Sequence, residues 1–387
     1  MSESSSSAQP SDFRSEAIEG AQSVVVKVGT RVLTDSNGKL DRQRIETLSA
    51  GLCEIAESGR QTIMVSSGAV GAGMGKLGLE ERPTGLSQLQ AIAAVGQADL
   101  IQAYERALAK RGRHAAQVLL TRSDLKRRDA YLHVRNALGQ IHQFGAVAIV
   151  NENDSVAVSE LMTTFGDNDR LAAQVAGLLG DALLVILSDI DGLYDGPPEL
   201  DSSKRIELVE SLDDSVFSLA QDHRNPLSKG GMASKLAAAQ LANSYGHPVI
   251  IGPGRDDQVL GKVLRGENIG TLFLPPHRGL RGRRRWISGS AEIAGKLVLD
   301  AGAARALRHD GRSLLAIGII DVKGDFDAGD VVLLVDADGR EVGRGLCNYP
   351  ADEVRQIRGH ASDAIAEILG HRPYESVVHR DNMTVVT

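Results

Sequence analysis

We predict from the amino-acid sequence an α/β fold, in which a mostly parallel sheet is sandwiched between helices and a smaller β-rich domain follows. Short apolar runs rich in β-branched residues alternate with longer segments whose apolar residues recur at helical spacing. The short runs are continuously apolar, which is typical of parallel strands that are buried on both faces. Ligands bind such sheets at the carboxyl ends of the strands, so functional residues are expected there.

The first domain is predicted to contain seven strands and five longer helices. The strands are expected at residues 24–28, 62–65, 115–120, 147–150, 182–187, 248–251 and 271–274. The helices are expected at residues 43–57, 88–110, 131–144, 169–179 and 232–244. A strand, a helix and a further strand follow one another, as in a parallel sheet with helical crossovers.

Two domains are predicted, because 387 residues exceed what a single core usually supports. A Ser-rich segment at 1–20 is expected to be disordered, and the first domain spans 21–275. A basic linker follows at 276–285, the second domain spans 286–372, and a C-terminal tail occupies 373–387.

The second domain shows short β-type runs separated by turns rich in Gly and Asp, with little helix expected before its last segment. The runs lie at 313–320, 331–335 and 342–346, and the final helix is expected at 361–369. This pattern indicates a small β-rich module.

Composition excludes several classes of protein. The 43 Lys and Arg residues against 50 Asp and Glu give a net charge of −7, which argues against a surface built to bind nucleic acid. Cys53 and Cys347 are far apart and have no ligand-spaced partner, so neither a disulfide framework nor a zinc site is indicated. The sequence contains no apolar stretch of membrane-spanning length and no secretory leader, which predicts a cytoplasmic protein.

Lys27 is the first candidate site residue, because it interrupts an apolar strand. A lone lysine in a strand is commonly an edge-strand residue that faces water. Gly29 and Thr30 follow directly, and a glycine just past a strand lets a ligand approach the backbone closely. Lys27 could then neutralise a phosphoryl group as a point charge.

A glycine-rich segment over residues 66–75 directly follows the second predicted strand. Backbone amides at the start of a helix suit the binding of phosphate or carboxylate groups. The segment matches neither the phosphate-binding loop with Gly-Lys-Ser/Thr nor the dinucleotide fingerprint nor a nucleophile elbow around Ser67. By itself it indicates a tight turn with a possible anion site.

Carboxylates and amides cluster at residues 151–154 and 166–169. The second cluster could simply cap a helix, which would use one of its acids. The remaining side chains could bind the ammonium and carboxylate groups of an amino acid, or hold Mg²⁺ through water. The candidate residues are Asn151, Asp154, Asp167, Asn168 and Asp169.

Two further segments complete the set of candidates. Ser188 and Asp189 follow the most apolar predicted strand, and residues 229–235 open a helix with a pair of glycines. A lysine in the first turn of a helix opposes the helix dipole, so Lys235 is poorly explained as a helix-forming choice. An anionic ligand would explain it.

These motifs, taken in order, resemble those of the glutamate 5-kinases within the amino-acid kinase superfamily. The resemblance covers nearly all of the chain after the Ser-rich segment, and the second domain resembles a PUA domain. The motifs are specific jointly, and most are weak singly. They lie at residues 26–30, 67–69, 151–154, 166–169, 189–194 and 230–232.

The resemblance implies the amino-acid kinase fold and phosphorylation of the L-glutamate side-chain carboxylate by ATP with Mg²⁺. Lys27, Lys235 and Asp169 would be catalytic, with Asp169 orienting the lysines. The other implied sites hold the two substrates, and no residue is assigned as a metal ligand. Glutamate would be bound by Ser67, Asn151, Asp154, Asp167 and Asn168, and ATP by Lys27, Ser188, Asp189, Lys229, Gly230, Gly231, Met232, Ala233, Ser234 and Lys235.

One departure from the family pattern concerns the nucleotide loop. The usual Gly-Thr-Gly-Gly-Met-x-Thr-Lys sequence carries Ser228 and Lys229 at its first two positions here, while Ser234 keeps the later hydroxyl. No general base is expected, because a glutamate carboxyl with a pKa of about 4.3 is already an anion at neutral pH.

Two alternatives stay open on the sequence. The first is another kinase of the superfamily, acting on acetylglutamate, aspartate or a nucleoside monophosphate. The second is an RNA-binding or RNA-modifying protein, although the aromatic content of 3% leaves few surfaces for stacking bases. The resemblance further implies a homo-oligomer, inhibition by proline and a functional link to glutamyl phosphate reductase, with no membrane partner.

Overall fold

A computed structural model describes residues 10–35, 38–156, 167–220, 231–276, 293–372 and 374–386. The chain divides into two compact units. The first comprises Met1–Leu125 and Asp129–Gly279, and the second comprises Lys126–Arg128 and Leu280–Thr387.

Within the described residues, the first unit contains an eight-stranded sheet with the order β3-β4-β2-β1-β5-β7-β8-β6. Neighbouring strands pair in parallel except β7 and β8, which are antiparallel. The strands are β1 Ser23–Val28, β2 Gln61–Ser66, β3 Ala115–Leu120, β4 Val147–Glu152, β5 Ala182–Ser188, β6 Leu208–Val209, β7 Val249–Pro253 and β8 Thr271–Phe273.

Helices cover both faces of this sheet. The longer ones are α3 Arg42–Glu57, α5 Leu86–Ala109, α7 Arg128–Gln143, α8 Asp167–Leu178 and α10 Gly231–Ser244. Shorter helices are α1 Pro10–Glu19, α2 Thr30–Leu33, α4 Ala69–Leu77, α6 Arg122–Lys126, α9 Asp214–Leu219 and α11 Val259–Leu264.

The core on one face joins alternate side chains of the central strands to α3, α5 and α11, including Val26, Leu52 and Leu260. The opposite face of the strands packs against α8 and α10. All six residues of β1 are buried, so the continuous apolar run reflects burial on both faces, as the sequence predicted.

The N-terminal segment differs from its prediction. Residues 1–20 were expected to be disordered, whereas the structure places α1 over Pro10–Glu19 and buries Arg14 and Ile18. The Arg14 guanidinium donates to the backbone carbonyls of Glu207, Ile269 and Gly270. Composition favoured disorder, but this long-range pairing with the sheet edge decides the conformation. Residues 1–9 lie outside the described residues.

The second unit contains, among the described residues, a five-stranded sheet with the order β10-β9-β11-β12-β13. Its core includes Leu297, Leu334, Val354 and Tyr349. Its elements are β9 Ile293–Leu299, α12 Ala301–Asp310, β10 Ile319–Gly324, β11 Val331–Val335, β12 Glu341–Cys347, α13 Ala351–Ile357, α14 Ile365–Leu369 and β13 Val378–Val385.

Two predictions for the second unit are wrong. The strand expected at 313–320 is mostly a loop with a short 3₁₀ turn, and the strand itself lies at Ile319–Gly324. Little helix was expected before residues 361–369, yet α12 and α13, which have ten and seven residues, both precede that segment. Both helices are amphipathic and short, so their apolar residues resemble β-type runs when they are read locally.

The described helices include none that combines the length and apolarity needed to cross a membrane. Cys53 and Cys347 are both buried free thiols.

Candidate active site

A buried ion-pair cluster lies at the carboxyl edge of the first sheet. Lys27 Nζ lies 2.6 Å from Asp169 Oδ1, and Lys235 Nζ lies 3.5 Å from Asp169 Oδ2. The three side chains are only 7%, 12% and 2% exposed, for Lys27, Lys235 and Asp169 respectively. One carboxylate therefore joins two lysines that the sequence analysis assigned to the same function.

The fold explains why Lys27 is buried. Side chains alternate along a strand, and Val24, Val26 and Val28 face the core shared with α3 and α5. Lys27 consequently points to the other face, which α8 covers and where Asp169 occupies the first turn of that helix. The edge-strand reading of Lys27 does not apply, because β1 pairs with β2 on one side and β5 on the other.

Ser234 and Lys235, the fourth and fifth residues of α10, reach this cluster from the start of that helix. The Ser234 hydroxyl donates to Asp169 Oδ2 at 2.9 Å, and Lys235 Nζ donates to the Gly231 carbonyl oxygen at 3.1 Å. Gly231, Met232 and Ala233 begin the same helix. The hydroxyl that the sequence retains at position 234 thus helps to fix the carboxylate between the lysines.

The electrostatics of the cluster follow from burial and charge. Burial by itself would raise the pKa of Asp169, but the charges of Lys27 and Lys235 outweigh it, and the pKa lies below its usual range. Burial lowers the pKa of Lys235, and the charge of Lys27 adds to this lowering while Asp169 opposes it. Asp169 is therefore held as an anion, and its charge stabilises the cationic forms of the two buried lysines.

A neutral amide cluster adjoins the ion pairs. Asn168 Nδ2 donates to Ser67 Oγ at 2.9 Å and to Asn151 Oδ1 at 3.2 Å. Asn151 Nδ2 donates in turn to Gln97 Oε1 at 2.8 Å. Three residues predicted to bind glutamate thus meet in space, since Ser67 follows β2, Asn151 lies on β4 and Asn168 is in the first turn of α8.

Gln97 was missed by the sequence analysis. It lies within α5, where a single Gln at a partly buried position gives no local sign of a site. The preceding Gly96 permits its approach, because a Cβ there would lie 1.8 Å from the Ala69 carbonyl oxygen and 2.3 Å from the Gly73 nitrogen. Gly96 and Gly73 therefore let α5 pack directly against α4, which begins beside the Ser67 turn.

The turn after β2 also requires glycine. Gly68 has a φ of 105° and precedes the first residue of α4, so a side chain there would be strained. The glycine-rich segment at 66–75 is accordingly a strand end, a left-handed turn and a helix, with Ser67 facing Asn168.

Ser188 is the last residue of β5, the other neighbour of β1, and Asp189 follows it directly. Ser188 Oγ donates to Asp189 Oδ1 at 3.1 Å, and Arg31 Nη1 donates to Asp189 Oδ2 at 2.9 Å. Burial would raise the pKa of Asp189, but the hydrogen bonds from Arg31 and Ser188 lower it instead. Arg31 was not predicted as a site residue, because no sequence pattern indicates that α2 lies next to the end of β5.

The other predicted site residues are less fully described. Asp154 lies two residues beyond β4 and is partly buried. Asp167 is the first residue of α8, and its side chain lies outside the described part of the chain. Lys229 and Gly230, together with the departure at Ser228, lie wholly outside it. Their assignments stay predictions.

The described residues contain no group of three or more His, Cys, Asp or Glu side chains that could hold a metal ion by themselves. Both oxygens of Asp169 contact the lysines, and Ser234 adds a hydrogen bond to one of them. The cluster therefore combines two lysines with a single carboxylate, and that carboxylate is already paired.

Comparisons with known proteins identify the families that the two domains match. The amino acid kinase family model matches residues 22–253, and the PUA domain model matches residues 295–369. A glutamate 5-kinase of Rhodopirellula baltica is 60% identical over 381 residues, covering 98% of each chain. A glutamate 5-kinase of Moorella thermoacetica is 45% identical over 371 residues, covering 96% of this chain and 98% of that relative.

Proposed function

The chain belongs to the glutamate 5-kinase family, and from this premise we propose how it phosphorylates the side-chain carboxylate of L-glutamate with ATP. The product is L-glutamyl 5-phosphate, in the first step of proline biosynthesis. The observation that carries the proposed mechanism is the buried pair of lysines joined by Asp169 beside a cluster of amides.

The lysines act on the transferring phosphoryl group. Two anions must meet in line, and negative charge spreads over the phosphoryl oxygens in the transition state. Lys27 and Lys235 supply positive charge in a buried place, where each interaction is stronger than it would be in water. Asp169 fixes both side chains before the substrates bind, so little reorganisation is needed during the reaction.

No side chain needs to remove a proton. The glutamate carboxylate oxygen attacks the γ-phosphorus, and the bond from that phosphorus to the bridging oxygen breaks, leaving ADP. The carboxylate is already ionised at neutral pH, so the electron pair that forms the new bond is available without a base. The Asp169 carboxylate accordingly orients the lysines and takes no part in proton transfer.

The remaining residues position the substrates. Ser67, Asn151 and Asn168 hold glutamate together with Asp154 and Asp167. The ATP phosphates lie near the start of α10, where Gly231, Met232, Ala233 and Ser234 follow Lys229 and Gly230. Ser188 and Asp189 contact the nucleotide from the end of β5.

Mg²⁺ fits this site as an ion that arrives with ATP. In kinases Mg²⁺ is bound largely by substrate phosphates with one or two carboxylates, so a cage of protein ligands is not required. The described acids form no such cage, and Asp169 is already paired. When bound, Mg²⁺ supplies positive charge that offsets the charge of the phosphates, and the lysines bind the same phosphates directly.

Family membership also supports four finer proposals. The enzyme acts in the cytoplasm, assembles as a homo-oligomer, is inhibited by proline and supplies its product to glutamyl phosphate reductase. The buried free thiols of Cys53 and Cys347 are compatible with a reducing compartment. The enzyme acts on small molecules and has neither a membrane nor a nucleic acid as a partner.

ADP release by the purified full-length protein tests the proposed function. We expect release with glutamate, ATP and Mg²⁺, with little release when aspartate, acetylglutamate or UMP replaces glutamate. Removal of Mg²⁺ should abolish turnover, and proline should reduce it. Equal turnover with aspartate or acetylglutamate, or none with glutamate, would reject the assigned substrate.

A further inference from the structure

Gln97 occupies the end of the amide cluster that lies farthest from the lysines. The hydrogen bonds run from Ser67 and Asn168 to Asn151 and then to Gln97 on α5. Gln97 belongs to none of the motifs of the sequence analysis. Its contact with Asn151 nevertheless makes it part of the same connected network.

The direction of every hydrogen bond in this network is fixed by one backbone group. The Glu152 N–H can only donate, and it donates to Asn151 Oδ1 at 2.9 Å. The Asn151 amide oxygen must therefore face that nitrogen, and its Nδ2 must face Gln97. Gln97 accordingly presents Oε1 to Asn151 and directs Nε2 away from it.

Two buried atoms are left over at the ends of the network. Asn168 uses its Nδ2 for both Ser67 and Asn151, so its Oδ1 is the remaining acceptor. Gln97 Nε2 is the remaining donor. Within the described residues neither atom has a hydrogen-bond partner, although both are buried. A buried amide atom without a partner costs about 1–3 kcal/mol, so native structures normally supply one.

The leftover pair is complementary to the groups on an amino-acid α-carbon. An α-carboxylate accepts hydrogen bonds, as Gln97 Nε2 requires, and an α-ammonium donates them, as Asn168 Oδ1 requires. A ligand with two carboxylates at this position would leave Asn168 Oδ1 without a donor. A ligand with two hydroxyls would satisfy both atoms but only with uncharged partners, which form weaker hydrogen bonds.

The strand order of the sheet gives the site its direction. Lys27 lies on β1, Ser67 follows the neighbouring β2, and Asn151 lies at the end of β4, the next strand. Neighbouring strands are about 4.8 Å apart, so the phosphoryl site and the Asn151–Gln97 contact are separated by about 10 Å. An extended glutamate with its side-chain carboxylate at Lys27 therefore directs its α-carbon toward β4 and Gln97.

We propose that Gln97 binds the α-carboxylate of glutamate through Nε2 and so determines specificity for an acceptor with a free α-carboxylate. The proposal rests on the proposed function, because it uses glutamate as the acceptor. Asn168 Oδ1 takes the α-ammonium of the same molecule.

A paired comparison of substrates separates this contact from a purely structural role. Gln97→Met keeps the volume of the side chain and removes the donor. We expect kcat/KM for glutamate to fall by about 10- to 100-fold, mainly through KM, because a hydrogen bond to a charged group is lost. γ-Aminobutyrate, which lacks the α-carboxylate, should lose less than about 2-fold as a substrate or as a competitive inhibitor.

Gln97→Glu provides a gain of function. One carboxylate oxygen can still accept from Asn151, while the other replaces the Nε2 donor. This oxygen repels an α-carboxylate but can accept from the α-carboxamide of L-isoglutamine. The ratio of kcat/KM for L-isoglutamine over glutamate should rise by at least about 10-fold above the wild-type ratio.

The outcomes distinguish the two proposals. Wild-type ADP release with glutamate tests the proposed function and does not depend on either variant. Equal losses for glutamate and γ-aminobutyrate in Gln97→Met would overturn the Gln97 proposal, because they would mean that Gln97 only positions Asn151. An unchanged substrate ratio in Gln97→Glu would overturn it as well. Circular dichroism and melting temperatures establish that each variant is folded. If only one of the two variants folds, that variant by itself still tests the Gln97 proposal.

Discussion

The two ends of the candidate active site are built on different principles. At the cationic end, Lys27, Asp169 and Lys235 pair with one another. At the amide end, the network that includes Asn168 and Gln97 is neutral and leaves one donor and one acceptor without a partner among the described residues. The charges of the cationic end are already paired with one another, whereas the amide end offers one donor and one acceptor to the glutamate that we propose it binds.

The difference has an energetic cause. A buried charge without a counter-charge costs several kcal/mol of folding free energy. Two lysines that are buried to bind a phosphoryl group therefore need a carboxylate partner when no substrate is bound. An unpaired amide costs only about 1–3 kcal/mol, which substrate binding can recover. The cationic end is therefore suited to stabilise a transition state, and the amide end is suited to recognise a ground-state substrate.

Removal of either lysine should break the cationic end and give the largest effect. Lys27→Ala and Lys235→Ala should each lower kcat by about 10³-fold, because a preorganised donor to the transition state is lost. The KM for glutamate should change by less than about 3-fold. Steady-state ADP release measures both constants.

Ser67→Ala is the matched control at the amide end. It should raise the KM for glutamate more than it lowers kcat, because it removes a ground-state contact. Near-normal turnover in either lysine variant would reject the assignment of that lysine to catalysis. Circular dichroism should show little change in the fold of all three variants.

Asp169→Asn should sharpen the comparison by leaving two buried lysines without their counter-charge. We expect a loss of stability of about 3 kcal/mol and a fall in kcat. The alkaline limb of the kcat profile should also move to lower pH, because the Asp169 carboxylate opposes the lowering of the Lys235 pKa by burial.

The stability effect of Asp169 should itself depend on pH. Its folded-state pKa is lowered, so its contribution is fully present above the unfolded value of about 3.9 and is lost as the pH falls through the folded value. The difference in melting temperature between wild type and Asp169→Asn should therefore be largest at neutral pH and shrink in acid. A constant difference, with an unshifted alkaline limb, would contradict the paired-charge account.

Gly96→Ala should perturb the amide end through packing. We expect its effect on activity to be smaller than the effects of the lysine variants and of Asp169→Asn. The added methyl would overlap the Ala69 carbonyl oxygen, so α5 must move away from α4, at a cost of about 2 kcal/mol. The KM for glutamate should rise as Gln97 moves with its helix.

Gly139→Ala on α7 is the control for this change, because nothing lies within 4 Å of a Cβ built there. It should be neutral or stabilise the protein by up to about 1 kcal/mol. Thermal melting and glutamate KM measure both variants. A Gly96→Ala protein as stable as the Gly139→Ala protein would show that the close helix contact is not required.

Sequence periodicity predicted most of the first unit. The strand expected at 115–120 was assigned with the bounds that the structure gives, and the central strands differ by one or two residues at an end. The two-residue strand β6 was missed, because Leu208–Val209 is too short to show a period. The N-terminal helix was missed because its ties are long-range: Arg14 donates to carbonyl groups far along the chain, and Ile18 packs into the core of the sheet.

The sequence by itself determined the α/β class and the positions of the main strands, and it nominated Lys27, Asp169 and Lys235 as site residues, because these depend on local patterns and on the order of motifs. Only the tertiary structure decided that Asp169 lies between the two lysines and that Gln97, 54 residues before Asn151, joins the amide cluster. The order of strands and the close approach of α4 and α5 bring these side chains together. No local run of residues predicts the strand order or the approach of these two helices, because both arise from packing between segments that are distant along the chain.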